Sequence, residues 1–106
     1  MMEKPNLNYV NNLSGDDSYV KELLIDVIKT EFPEEKKKYY ESYQNKEFKK
    51  IEENVHRLKH KISILGLENG YKNANAYEHN LRLNFKDKSK IFHKTLVIIS
   101  DYLKII

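Results

Sequence analysis

The chain is poor in the residues that build disulfide frameworks and tight turns. Its 106 residues include no cysteine, no tryptophan, three glycines and two prolines. The absence of cysteine excludes disulfides and thiolate metal sites, and it is compatible with a cytoplasmic location. Because turn formers are scarce and 33% of the residues are charged, the composition favours helices over a sheet with many turns. A chain of this length predicts a single domain, residues 1–106.

Several function classes lack their sequence signals. The three glycines form neither a phosphate-binding loop nor a dinucleotide fingerprint, so the chain is not expected to be an autonomous kinase. No serine lies in a nucleophile-elbow motif. The N-terminus has no apolar signal core, and no apolar run approaches about 18 residues. A net charge of +3, with acidic and basic residues interleaved, gives little support to nucleic-acid binding. We therefore expect neither a membrane nor a nucleic-acid partner.

The apolar spacing predicts an all-α fold in which four longer helices follow a short lead-in helix. The lead-in helix lies near Leu7 to Leu13 and is closed by Ser14-Gly15, after which Asp16 or Asp17 caps the second helix. Pro33 lies inside the continuing pattern and either kinks one long helix or starts a new turn after Phe32. The predicted inward residues of the second helix are Val20, Leu23, Leu24, Val27 and Ile28.

Three further helices follow after a break near Gln44-Asn45. The seam of the third helix is Phe48, Ile51, Val55, Leu58, Ile62 and Leu65. Gly66 and Asn69-Gly70 are candidate breaks after it. The fourth helix, to about Leu83, uses Leu67, Tyr71, Ala74, Tyr77 and Leu81, and a turn at Asn84 to Lys88 precedes a last helix with Phe92, Leu96, Ile99, Leu103 and Ile106. Short connections predict an antiparallel, up-down four-helix bundle.

His56 is the best candidate for chemistry. It follows the seam residue Val55, so it lies at the edge of the apolar stripe and not in its middle. Residues three and four apart share a helix face, which places Lys59 one turn from the imidazole. A fixed, partly exposed histidine beside an ammonium suits a nucleophile whose phosphorylated form needs its added negative charge neutralised.

Metal binding is a weaker interpretation of the same segment. His56 and His60 are spaced i, i+4, and Glu52 lies one turn below as a possible third ligand. The order His-Glu-x-x-His of zinc proteases is absent, because residue 57 is Arg. We predict no functional metal site from this pattern. His79 and His93 have no motif around them and are expected to be ordinary surface or boundary histidines.

The segment resembles histidine-containing phosphotransfer (HPt) domains. The shared pattern is His-x-Leu-Lys at His56, small residues after it, and Leu-Gly ending ten residues after the histidine at Gly66. The upstream Leu13 to Asp17, which leads into Tyr19 to Leu24, is similar to the same family. The resemblance covers roughly residues 5–104, nearly the whole chain. It implies that the second helix continues through Pro33 to about Tyr43, with Tyr39 and Tyr43 packing inward.

The resemblance implies a phosphocarrier, not an enzyme with its own kinase domain. His56 would accept the phosphoryl group, through Nε2, from the aspartate of a response-regulator receiver domain, and Lys59 would stabilise it. The partners would be receiver domains and a hybrid sensor histidine kinase, which supply most of the catalytic apparatus. The carrier would have no cofactor of its own, since magnesium comes with the receiver. A cytoplasmic monomer is expected, with Arg57, His60 and Ser63 in the docking surface.

Two positions near His56 leave alternatives open. The family usually has glycine where this chain has His60, so His60 either narrows the partner range, pairs with an acidic pocket, or marks a domain that no longer transfers. Glu78 either occupies a seam position facing His56, where its carboxylate would orient the ring, or points to solvent while Tyr77 is buried. Arg82, one turn later, is a candidate for the same face. A degenerate docking module and an unrelated helical adaptor remain the rival functions.

Overall fold

A computed structural model describes residues 3–82 and 89–106, and every regular element in those ranges is an α-helix. The helices are α1 (Asn8–Ser14), α2 (Ser18–Gln44), α3 (Phe48–Ile64), α4 (Glu68–Arg82) and α5 (Ser89–Leu103). The all-α prediction is therefore confirmed for this part of the chain. Leu83 and the predicted turn at Asn84 to Lys88 lie outside the described residues.

The helices pack around a single apolar cluster. α3 packs against α2 and α4, α4 packs against α5, α5 returns to α2, and α1 lies on α2. All five helices contribute to the cluster, and each large side chain buried in it contributes roughly 1.5–3 kcal/mol. Its buried members are Val10, Ile28, Phe32, Tyr39, Ile51, Val55, Leu58, Ile62, Leu65, Leu67, Ala74, Tyr77, Phe92, Leu96, Ile99 and Leu103.

The start of α2 follows the predicted capping chemistry. Gly15, with φ of 61°, ends α1 and donates its N–H to the carbonyl of Asn11. Asp17 is the N-cap of α2, and its Oδ1 accepts hydrogen bonds from the backbone N–H groups of Tyr19 and Val20 at 3.0 and 3.2 Å. Of the two aspartates that the sequence offered, Asp17 therefore supplies the cap.

Two of the inward positions predicted for α2 are wrong. Leu23 and Val27 are exposed, whereas Ile28 is buried and Val20 and Leu24 are half-buried. At about 100° per residue, Leu23 and Val27 lie a quarter-turn or more from the direction that Ile28 faces. The prediction drew the apolar stripe too wide, because apolar identity alone does not show where the packed face ends.

α2 continues through Pro33 as one helix to Gln44, as the resemblance implies. Pro33 lies on the exposed side, while Tyr39 is buried and Tyr43 is half-buried as predicted. At about 1.5 Å per residue, α2 is long enough to cross a bilayer, but it is rich in charged residues. Within residues 3–82 and 89–106, no helix combines the length and the apolar character that a membrane span requires.

The seam of α3 is confirmed except at its first residue. Ile51, Val55, Leu58, Ile62 and the following Leu65 are buried. Phe48 is exposed, so its predicted core position is wrong. Phe48 is the first residue of α3. The 3-4 spacing of apolar residues does not show whether a neighbouring helix extends far enough to cover the start of α3.

The predicted break at Asn69-Gly70 is also wrong, because both residues lie in the first turn of α4. The Glu3 carboxylate accepts their backbone N–H groups, at 3.0 Å from Asn69 and 2.7 Å from Gly70. Gly66, with φ of 78°, follows the end of α3, and Asn6 packs where a Cβ at this position would stand. The N-terminal segment thus secures the α3–α4 junction, which no local sequence signal predicts.

Candidate functional site

His56 lies on α3 between two buried residues of the seam, Val55 and Leu58. These apolar side chains pack α3 against its neighbours. They thereby fix the direction in which the His56 side chain leaves the helix. The His56 side chain is 53% exposed. The ring is therefore fixed at its base and open to solvent at its edge, as the sequence predicts.

Glu78 of α4 holds one nitrogen of this ring. His56 Nδ1 lies 3.0 Å from Glu78 Oε1. Glu78 and Tyr77 are both buried. The alternative in which Glu78 points to solvent is therefore wrong, although Tyr77 is buried as that alternative expected. Tyr77 packs on Phe92 of α5, with ring centroids 5.3 Å apart, whereas Glu78 reaches α3. Because α4 is packed on two sides, consecutive residues can both be buried on it.

Lys59 completes the polar cluster from inside the bundle. Its Nζ donates to Glu78 Oε2 at 2.9 Å and to Asn75 Oδ1 at 3.0 Å. The ammonium also lies 5.6 Å from the centroid of the Tyr71 ring. The Lys59 and Glu78 side chains are only 9% and 6% exposed. Lys59 is thus a buried partner of Glu78, although the helix pattern places it on the same face as the exposed His56.

The electrostatics of Glu78 determine the protonation of His56. Burial raises the pKa of Glu78, but the hydrogen bonds from Lys59 and His56 outweigh burial, so the pKa lies below its usual value. Glu78 is therefore ionised at neutral pH and only accepts hydrogen bonds. It follows that His56 Nδ1 carries a proton and that this N–H donates a hydrogen bond to Glu78 Oε1. In the neutral ring, Nε2 then holds the lone pair.

His60 stands beside that lone pair. Its Nε2 lies 3.4 Å from His56 Nε2, and the two rings are nearly perpendicular at 87°. Both rings are exposed. Since Nε2 of neutral His56 accepts, His60 Nε2–H is the donor in this contact. The bulky residue found in place of glycine therefore contacts the predicted phosphoacceptor directly.

A cleft of about 510 Å³ runs along the α3–α4 boundary at this cluster. His56, Lys59 and Glu78 line it together with Lys72 and Asn75 of α4. The sequence analysis missed Lys72 and Asn75. Lys72, Asn75 and Glu78 follow one another at intervals of three residues, which places them on the same face of α4. This spacing is the sequence signal that could have identified Lys72 and Asn75.

The remaining predicted site residues lie on α3 and α4, the two helices that carry the cluster. Arg57 and Ser63 are exposed on α3, and Ser63 lines a separate groove with Tyr71 and Lys72. Arg82 is the last residue of α4, and its side chain lies outside the described part of the structure. Lys61, the residue after His60, faces α2 and pairs with Glu31 at 2.9 Å and Glu35 at 3.3 Å.

His93 occupies a very different environment on α5. The ring is half-buried, and its Nε2 lies 2.7 Å from the Tyr39 hydroxyl, which also lies 2.8 Å from that of Tyr77. Tyr40 and Tyr43 pack on the ring, with centroids 5.1 and 4.9 Å away. His93 is thus a boundary histidine, as expected, while His79 is exposed on α4.

Among the described residues, no three histidine, aspartate or glutamate side chains are grouped as a metal centre. Glu52 therefore does not complete a three-ligand set with the two histidines of α3. The chain has no match among protein-family models, curated proteins or solved structures. Any inference about function consequently rests on the sequence pattern and on the chemistry of the His56 cluster.

Proposed function

We propose that this chain is a histidine phosphotransfer protein, which carries a phosphoryl group on His56 between the aspartates of receiver domains. One observation carries the proposal: the Glu78 carboxylate holds His56 Nδ1, while the ring is half exposed. An imidazole fixed in this way offers its Nε2 lone pair to a partner. The His-x-Leu-Lys and Leu-Gly pattern of HPt domains points to the same residue.

The transfer step uses the His56 ring and the Glu78 carboxylate, and it conserves atoms and charge. The Nε2 lone pair attacks the phosphorus of an aspartyl phosphate, the N–P bond forms as the P–O bond breaks, and the aspartate leaves as a carboxylate. The phosphorylated ring is then cationic, and its Nδ1–H stays on Glu78, whose negative charge stabilises it. The reverse step returns the phosphoryl group to another aspartate.

Lys59 has two proposed roles in this step. Its contacts with Glu78 and Asn75 hold the carboxylate in position for His56. Its positive charge also lies in the wall of the cleft, where it favours an arriving phosphoryl group. The predicted role of Lys59 in phosphoryl stabilisation thus becomes an electrostatic one, exerted from a buried position.

The proposed partners are response-regulator receiver domains and a hybrid sensor histidine kinase. Magnesium is supplied with the receiver, and the carrier contributes no cofactor or kinase activity of its own. Since such relays operate in the cytoplasm, we place this chain there, as a monomer. The cyclic packing of α2, α3, α4 and α5 supports an antiparallel, up-down four-helix bundle, with Arg57, His60 and Ser63 in the docking surface.

Phosphoryl transfer from a panel of phosphorylated receiver domains tests the proposal. The wild-type chain should acquire acid-labile, base-stable label, and His56→Gln should acquire none. His79→Gln, which removes another exposed histidine, is the matched control and should be labelled like wild type. Equal labelling of wild type and His56→Gln would contradict the proposal. A chain that neither binds nor is labelled by any receiver would instead be an unrelated helical adaptor.

A second candidate function is a docking module that binds receivers without accepting phosphate. The 3.4 Å contact between His60 Nε2 and His56 Nε2 favours it, because His60 occupies the lone pair that transfer requires. In this case His60→Gly should create transfer in a chain that otherwise binds receivers but acquires no label. A chain that is already labelled before the substitution excludes the docking-only function.

A further inference from the structure

The two exposed histidines of α3 have the spacing of a metal chelate. Their Nε2 atoms are 3.4 Å apart, and zinc–imidazole bonds measure about 2.0–2.1 Å. Two such bonds that span 3.4 Å enclose an angle of about 110° at the metal, which is the tetrahedral value that zinc prefers. A square-planar or octahedral ion needs about 90° and a shorter separation between the nitrogens.

The surroundings of His56 suit a zinc ligand as well. A ligating histidine typically donates its other N–H to a carboxylate, which fixes the tautomer and raises the basicity of the ligand. His56 Nδ1 makes this bond to Glu78 at 3.0 Å. Both rings are exposed, so an ion can reach them, and the adjoining cleft leaves room for water in the remaining coordination positions.

The sequence alone predicts no functional metal site here, but from the geometry we propose that His56 and His60 bind a zinc ion through their Nε2 atoms, with Glu78 as the positioning residue and water in the open positions. Binding replaces the hydrogen bond between the two rings. The neutral His60 ring changes tautomer by exchange with solvent, so that its proton lies on Nδ1 and its Nε2 lone pair binds zinc with no net gain or loss of protons. This open, two-histidine site is compatible with the absence of a three-ligand cluster among the described residues.

The zinc site would also regulate phosphoryl transfer, and this consequence rests on the proposed function. His56 Nε2 cannot hold zinc and a phosphoryl group at once, so the two compete for one lone pair. The histidine at position 60 therefore makes the carrier sensitive to free zinc. A glycine there, as is usual in HPt domains, would supply no second nitrogen.

Zinc titration of the full chain, followed by calorimetry and by NMR of the imidazole groups, tests the binding. Wild type should bind one zinc ion, with shifts confined to His56 and His60, and His60→Ala should lose this saturable binding. Glu78→Gln should weaken the affinity about 10-fold or more. His79→Ala, which removes a histidine of the same cleft outside the pair, should bind zinc like wild type. Each variant's fold is checked by circular dichroism.

Unchanged zinc affinity in His60→Ala, or loss of affinity in His79→Ala, would overturn the site. Cobalt provides a second measurement, because its visible absorption distinguishes tetrahedral from octahedral coordination. An octahedral spectrum would contradict the geometry. For regulation, zinc should block labelling of wild type but not of His60→Ala. If wild type acquires no label even without zinc, the proposed phosphoryl transfer is wrong. The zinc titration does not depend on labelling, so it still shows whether His56 and His60 bind zinc.

Discussion

His56 and His93 both lie at the edge of the helical core, but the structure uses their rings in opposite ways. His56 is held at Nδ1 by a buried carboxylate, and its other nitrogen faces outward. His93 directs its Nε2 into the bundle, onto the hydroxyl of Tyr39, among packed tyrosine rings. A candidate histidine nucleophile is therefore recognised by which ring nitrogen is hydrogen-bonded to the protein, and not by the exposure of the ring alone.

The hydrogen-bond partners of the two rings have different electrostatics. Burial, the hydrogen bond to Tyr77 and the neighbouring phenols raise the pKa of Tyr39 far above its usual value, so it stays a neutral hydroxyl. The pKa of Glu78 is lowered despite burial, so it stays a charged carboxylate. The Tyr39 partner of His93 is therefore neutral, whereas the Glu78 partner of His56 is charged.

The largest effect is expected in the His93 environment. Tyr39→Ala removes a fully buried ring and should lower the free energy of unfolding by about 3–5 kcal/mol. Tyr39→Phe keeps the ring and removes only the hydroxyl, so it should cost about 1–3 kcal/mol. Urea denaturation of both variants measures these losses. Equal losses in the two variants would show that the hydroxyl, and not ring packing, dominates this region.

The next effect concerns the charged cluster. Glu78→Gln removes the charged acceptor of Lys59 and His56 and should cost about 1.5–3 kcal/mol at neutral pH. Because the pKa of Glu78 is lower in the folded than in the unfolded state, its stabilisation is fully present above the unfolded pKa. This stabilisation is lost as pH falls from about 4.3, the usual glutamate value, through the folded pKa.

The pH dependence of the free energy of unfolding therefore isolates the contribution of the Glu78 carboxylate. Wild type and Glu78→Gln should differ at neutral pH and converge in acid. Glu53→Gln, a change at an exposed glutamate of α3, is the matched control and should stay within about 0.5 kcal/mol of wild type. A Glu78→Gln difference that does not shrink on acidification would contradict the lowered pKa.

The smallest effect compares the two histidines directly. His56→Gln should lower the free energy of unfolding by about 0.5–1 kcal/mol, because the hydrogen bond from a half-exposed ring to Glu78 is weakened. His93→Gln should cost more, about 1–1.5 kcal/mol, because it disrupts the hydrogen bond to Tyr39 at a half-buried ring. Thermal or urea unfolding of the pair measures the contrast. A larger loss for His56→Gln than for His93→Gln would reverse the comparison.

The sequence predicts those features that depend on local chemistry. The apolar spacing identifies the helices, Asp17 as a cap, and the position of His56 at the edge of the α3 seam. It does not show how far the packed face extends, which is why Leu23, Val27 and Phe48 were placed in the core. Contacts between distant segments, such as Glu3 on the start of α4, have no local signal.

The candidate site is predicted only in part for the same reason. His56 and its neighbour at 60 follow from helix periodicity. The burial of Lys59 follows only from the packing of α4 on α3, and so does its bond to Asn75. The sequence offered Glu78 and Tyr77 as alternatives, whereas the structure buries both because α4 contacts α3 on one side and α5 on the other.

The most direct test of this account is the tautomer of His56. Long-range proton–nitrogen NMR spectra at neutral pH, assigned with His56→Gln, distinguish a protonated ring nitrogen from one that holds a lone pair. We predict a proton on Nδ1, where it is hydrogen-bonded to the charged Glu78, and a lone pair on Nε2. A proton on Nε2 with Nδ1 unprotonated would contradict this prediction, because the lone pair would then face Glu78 and could not reach a phosphoryl group.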